Sequence, residues 1–166
     1  MAKTAKINFQ YYSGPELEQD EALATDGATW VANKLGYFDA NGLAAVMATD
    51  GVNVDFLFEE AQATATSTST VKILKIPGAS TKFQAFVASD AADAAAAITD
   101  KGDDYGIEVS SNGTDSIDTV NVNETTAVAF HVDNLIWEKE PMENAAADSP
   151  GQVIGHFIQS VLDAGA

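Results

Sequence analysis

Val71-Lys72-Ile73-Leu74-Lys75-Ile76-Pro77-Gly78-Ala79-Ser80-Thr81-Lys82-Phe83-Gln84-Ala85-Phe86-Val87-Ala88-Ser89 is the stretch that decides the fold. Its first six residues are β-branched and aliphatic with lysines interleaved, and Pro77-Gly78 stops them. Lys82 to Ser89 then resumes as a strand, with Phe83 and Val87 on one face and Phe86 on the other. Two strand-length apolar runs around a breaker are the signature of β structure.

The same reading extends in both directions. Upstream, Val52, Val54, Phe56 and Phe58 alternate with Asn53, Asp55, Leu57 and Glu59, as a half-buried strand requires. Downstream, Gly106–Ser110, Ser116–Val122 and Thr126–Trp137 are β-like, with Asn112-Gly113 as a hairpin turn. Val128, Phe130 and Val132 share a face of the last of these, and Asp133-Asn134 interrupts it with a bulge or turn. Gly151–Leu162 fits a helical stripe through Val153, Phe157 and Val161, but its glycines favour a closing strand. Between strands, Asp90 reads as an N-cap opening a short alanine-rich helix to Ile98. The expected fold is mainly β: a small β-barrel or β-sandwich with one short Ala-rich helix and an extended N-terminal arm.

Three regions follow. Residues 1–15 form an extended arm with Lys3 and Lys6 and no acid, in which Ile7, Phe9 and Tyr11 alternate with polar neighbours before Gly14-Pro15. Residues 16–50 are an acidic, alanine-rich turn and loop region punctuated at Thr25-Asp26-Gly27, Asp39-Ala40-Asn41-Gly42 and Thr49-Asp50-Gly51. Residues 51–166 are the β-rich core domain.

Composition narrows the chemistry. Twenty-five acidic residues stand against 8 lysines, with no arginine and no cysteine, for a formal charge of -17 on 166 residues. Such a chain repels nucleic acid and anionic membranes. Without arginine it lacks the planar fork used on phosphates and carboxylates. The absence of cysteine removes disulfides, thiolate zinc sites and a cysteine nucleophile. No apolar h-region follows Met1–Lys6, so no secretory signal is expected, and no run approaches the length of a membrane helix.

Motifs for catalysis are missing: there is no nucleophile elbow, phosphate loop or dinucleotide fingerprint. His131 faces away from the Phe130 side of its strand and shares its side with Asp133, which reads as a solvated pair; His156 reads as a rim residue. Asp100-Lys101-Gly102-Asp103-Asp104 and Asp39-Ala40-Asn41-Gly42 both fail the EF-hand spacing. No enzyme activity, cofactor or metal is expected. The charge distribution says more. Ala61 to Ser89 contains no acid but holds Lys72, Lys75 and Lys82, and with the arm it carries five of the 8 lysines. Arm and lysine strands are therefore candidates to face an acidic partner.

Ile76-Pro77-Gly78, Thr81-Lys82-Phe83-Gln84-Ala85-Phe86-Val87, the alanine-rich Asp90–Ile98, Tyr105-Gly106-Ile107 and the strand around Phe130 occur in an order that resembles the capsid decoration, or cement, proteins of tailed bacteriophages. The resemblance covers Val71 to Trp137. It implies a structural virion protein that binds the exterior of the mature capsid, bridges major capsid protein subunits and assembles as a trimer. It also implies that the arm adds as a strand to a neighbour. Ile7, Phe9, Tyr11, Tyr12, Lys72, Lys75 and Lys82 are then the candidate partner-binding residues. Two alternatives stay open: a tail-tube or head–tail joining subunit, and a carbohydrate-binding β module using Trp30, Tyr37 or Trp137.

Overall fold

A computed structural model describes residues 6–63, 65–66, 69–89, 92–93, 98–136 and 151–164. It is mainly β, with two sheets and one short helix. In chain order the strands are β1 (Gln10–Ser13), β2 (Glu18–Leu23), β3 (Leu35–Phe38), β4 (Ala44–Val46), β5 (Phe56–Phe58), β6 (Thr70–Lys75), β7 (Lys82–Ser89), β8 (Ala92–Asp93), β9 (Asp104–Ser111), β10 (Ser116–Asn121), β11 (Phe130–Leu135) and β12 (Gln152–Phe157). The helix α1 (Gln159–Leu162) follows β12.

The first sheet closes on itself. β7 pairs with β10, β10 with β9, β9 with β11, β11 with β12, and β12 returns to β7. β7 can hold both ends of this ring because it is long. Phe83–Phe86 pair with β12, while Val87 and Ala88 pair in parallel with Val120 and Asn121. Ring closure removes the edges of these five strands, leaving β1 appended to the start of β7 and β8 to its end. Side chains alternate as the pleat demands: Val153, Gly155 and Phe157 of β12 are buried, and Gln152, Ile154 and His156 are half-buried.

Phenylalanines fill the barrel. Phe9, Phe130 and Phe157 have ring centres 5.2–5.3 Å apart, and Phe83 lies 5.3 Å from Phe157. Glycine is needed at 155, because a Cβ there would stand 1.9 Å from the His131 carbonyl oxygen and 2.6 Å from the Phe130 ring. The expected irregularity at Asp133-Asn134 is present as a register shift between Val132 and Asn134.

The second sheet is antiparallel, in the order β2-β6-β5-β3-β4. Leu35 and Leu57, with Met47 and Val54 of the adjoining loops, join the barrel's core, while Phe56 and Phe58 point the other way into a second cluster with Val71, Ile73 and Trp30. There Trp30 stacks on Phe58 at 3.9 Å. A Cβ on Gly36 would meet the Phe56 ring at 2.3 Å, so that cluster also needs its glycine.

Buried polar groups tie the halves together. Lys34 Nζ donates to Asp118 Oδ1 at 2.7 Å, the Leu35 N–H donates to Asp118 Oδ2 at 2.7 Å, and both side chains are buried. Burial raises the Asp118 carboxyl above its ordinary value, against the pull of Lys34 and the Leu35 N–H. Asn8 bridges the same junction: its Nδ2 donates to the Ala32 carbonyl and its Oδ1 accepts from the Asp118 N–H.

Three expectations change. The arm is not free over residues 6–13: Lys6 and Asn8 are 4% exposed, Phe9 is wholly buried, and β1 is zipped onto β7. Residues 16–50 contribute β2, β3 and β4, rather than only turns and loops. The short helix stands at Gln159–Leu162. Within the alanine tract expected as a helix, Ala92–Asp93 pair with β7 and Ile98 opens a 3-10 turn; Asp90, Ala91 and Ala94–Ala97 lie outside the described residues.

Candidate partner-binding edge

Among the terminal strands of the described residues, β1 and β2 are chemically opposite; β8 pairs with β7 alone, and β4 closes the far end of the second sheet with one bridge to Ala24 on its outer side. β1 pairs only with β7, and all four of its residues are exposed. Residues 7–15 carry no charge. Tyr12 is 53% exposed and Tyr11 44%, with Ile7 exposed just before the strand. The Tyr11 hydroxyl donates to the Gly14 carbonyl at 2.5 Å, which holds the ring over the turn into Pro15. Beside it lies a hollow of about 230 Å³ lined by Tyr11, Glu16 and Leu17.

β2 pairs only with β6 and is also exposed, but it carries Glu18, Asp20 and Glu21 in four positions. The Asp20 carboxylate accepts from the Glu21 N–H at 2.8 Å, and Lys75 sits 3.4 Å from its other oxygen. That N–H bond, then Lys75, holds the Asp20 carboxyl below its ordinary value. The strand's own side chain thus occupies a backbone donor that an incoming strand needs. Charge and self-capping are devices by which sheet edges resist pairing.

The sequence-derived candidates distribute unevenly. Ile7, Tyr11 and Tyr12 lie together on the exposed β1 side, whereas Phe9 belongs to the barrel core. Each lysine already has a carboxylate of its own chain. Lys72 reaches Glu60 at 3.4 Å, Lys75 reaches Asp20, and Lys82 reaches Asp133 at 2.8 Å. The acid-free stretch therefore offers no row of unpaired cations. Of the aromatics suited to stacking on a sugar, Trp30 is 4% exposed with its Nε1–H on the Glu60 carbonyl, Tyr37 is half-buried, and Trp137 lies outside the described residues.

Both histidines sit on the outer face of the barrel, in a polar row across four strands. His131 Nδ1 is 2.6 Å from Asp104 Oδ1 of β9, and its Nε2 is 3.9 Å from Asp133 Oδ1. His156 Nδ1 is 2.9 Å from Asp133 Oδ2, which also accepts from Lys82 of β7. Burial opposes the charge on Asp133, but the bonds from Lys82 and His156 outweigh it and hold the carboxyl below the usual range. The sequence placed His131 beside Asp133 on the outer face; it gave no sign of Asp104 or His156 as neighbours. No group of three or more His, Cys, Asp or Glu side chains among the described residues forms a metal cage. No helix among the described residues is long and apolar enough to cross a membrane.

No family model, no curated protein and no solved structure matches this chain.

Proposed function

We propose that this chain is a structural virion protein that binds the exterior of a mature phage capsid through the open side of β1 and stabilises it by bridging major capsid protein subunits. The observation that carries the binding part is the contrast between the two edges. A body of charge -17 exposes on β1 an uncharged strand with two tyrosines and an unpaired backbone side, while the open side of β2 is charged and self-capped. Exposed tyrosines beside an unpaired strand are suited to strand addition with side-chain anchors. The assignment to capsids rests on the resemblance of Val71–Trp137 to decoration proteins. On that reading the chain is made in the host cytoplasm, ends on the virion surface as a trimer, and acts without cofactor, nucleic acid or membrane. A ligand that binds only the expanded lattice stabilises it by linkage.

The test is co-sedimentation with capsids of the encoding phage that lack the protein, in expanded and unexpanded forms. Saturable binding to the expanded form alone is the expected result, with a stoichiometry that gives the occupied symmetry positions. Absence of binding by folded protein overturns the capsid assignment. Self-assembly into rings or tubes would favour the tail-tube alternative.

A further inference from the structure

We propose that His131 and His156 form a two-imidazole chelate for a borderline divalent metal ion such as Zn²⁺ or Ni²⁺ on the outer face of the barrel. The two residues are directly opposite each other in the β11–β12 ladder, and their ring centres are 5.0 Å apart. Two imidazoles on one tetrahedral ion, with bonds of about 2.0 Å, have ring centres roughly 5 Å apart. Each Nδ1 is held by a carboxylate, Asp104 Oδ1 at 2.6 Å and Asp133 Oδ2 at 2.9 Å. A carboxylate behind one ring nitrogen fixes the proton there, orients the ring and leaves the Nε2 lone pair for a metal. The side chains are 30% and 21% exposed, so an ion and its waters can reach them.

Two protein ligands, rather than a cage of three, leave the remaining positions to water. The ion would staple β11 to β12, beside the seam where the barrel closes on β7. Lys82 opposes it twice: its ammonium lies 3.0 Å from His156 Nδ1, where as a donor it competes with Asp133 for that nitrogen, and its charge repels an incoming cation. Imidazole nitrogens select Zn²⁺, Ni²⁺ or Cu²⁺, whereas a diffuse acidic surface holds Ca²⁺ and Mg²⁺ as well.

Titration calorimetry of the whole chain with NiCl₂ and with ZnCl₂ tests this, with thermal unfolding of each variant to confirm the fold. The expected result is one ion per chain, undisturbed by excess Mg²⁺ or Ca²⁺. Affinity should fall at least tenfold in His131→Gln and in His156→Gln and rise several-fold in Lys82→Met. The ions should raise the melting temperature of the wild type and of neither histidine variant. Competition by Ca²⁺ at equal concentration, or affinities within twofold of wild type in both folded histidine variants, would overturn the site.

Discussion

β1 and β2 leave their sheets unpaired in the same way and are built for opposite ends. β2 puts three carboxylates in four positions and turns one of them onto its own backbone. β1 has four uncharged exposed residues and no such cap. A chain with 25 acidic residues can guard an edge with charge almost anywhere, so an uncharged edge that bears two exposed tyrosines is the surface we propose for a partner. Surface chemistry, and not topology, distinguishes the two.

The largest effect is expected where the halves bearing these edges are joined. Asp118→Leu leaves the Lys34 charge buried without its partner and should cost about 3–5 kcal/mol. The double variant Lys34→Met/Asp118→Leu removes both charges and should recover most of that loss in denaturant unfolding. Comparable single and double losses would mean that the pair does not act as a unit. Phe9→Ala should cost a similar amount, about 3–5 kcal/mol, by opening a hole among the barrel phenylalanines. For that reason deletion of residues 1–13 tests folding rather than binding.

Next comes the β1 surface itself. Tyr11→Ser/Tyr12→Ser should weaken capsid binding by about 2 kcal/mol or more, roughly 30-fold, if these side chains are anchors. Its stability should stay within about 0.5 kcal/mol of wild type, because both rings are exposed. Equal binding by variant and wild type would show that the β1 tyrosines are not anchors. The converse change, Glu18→Thr/Asp20→Thr/Glu21→Thr, strips the guard from β2. It should produce concentration-dependent self-association by light scattering, beyond any oligomer that the wild type forms. A variant that stays as soluble as wild type would show that charge is not what protects that edge.

The smallest effect concerns Asp133, which ties Lys82 and His156 to β11. Its folded value lies below its ordinary value near 4, so its contribution is fully present above that ordinary value. It is lost as pH falls through the lowered folded value. Asp133→Asn should be less stable than wild type at pH 6, with the difference closing as the pH is lowered past the carboxyl's ordinary value.

Much of the barrel could be read in the residues. Lys82–Ser89 forms β7 as expected, Asn112-Gly113 lies in the β9–β10 turn, and the interruption at Asp133 is real, because alternation and turn chemistry are local signals. Gly151–Leu162 satisfied both of its competing patterns in turn, as β12 and then α1. β2 was illegible for a physical reason: a strand exposed on both faces has no apolar alternation to reveal it. At Ala92–Asp93 the expected helix gives way to a strand pair with β7, because helix propensity is a weak signal without an apolar stripe to dock it. At the candidate edge, Ile7, Tyr11 and Tyr12 were visible but Phe9 could not be separated from them, since alternation does not say which face is covered. The histidine pair depends on β11 meeting β12 in one register, which no local pattern encodes.

Hydrogen–deuterium exchange of the protein, free and bound to expanded capsids, reports which of the two edges a capsid covers. New protection of the amides of Gln10–Ser13 is expected on binding, with exchange across Glu18–Leu23 unchanged. Protection at β2 with none at β1, under saturated binding, would contradict binding through β1.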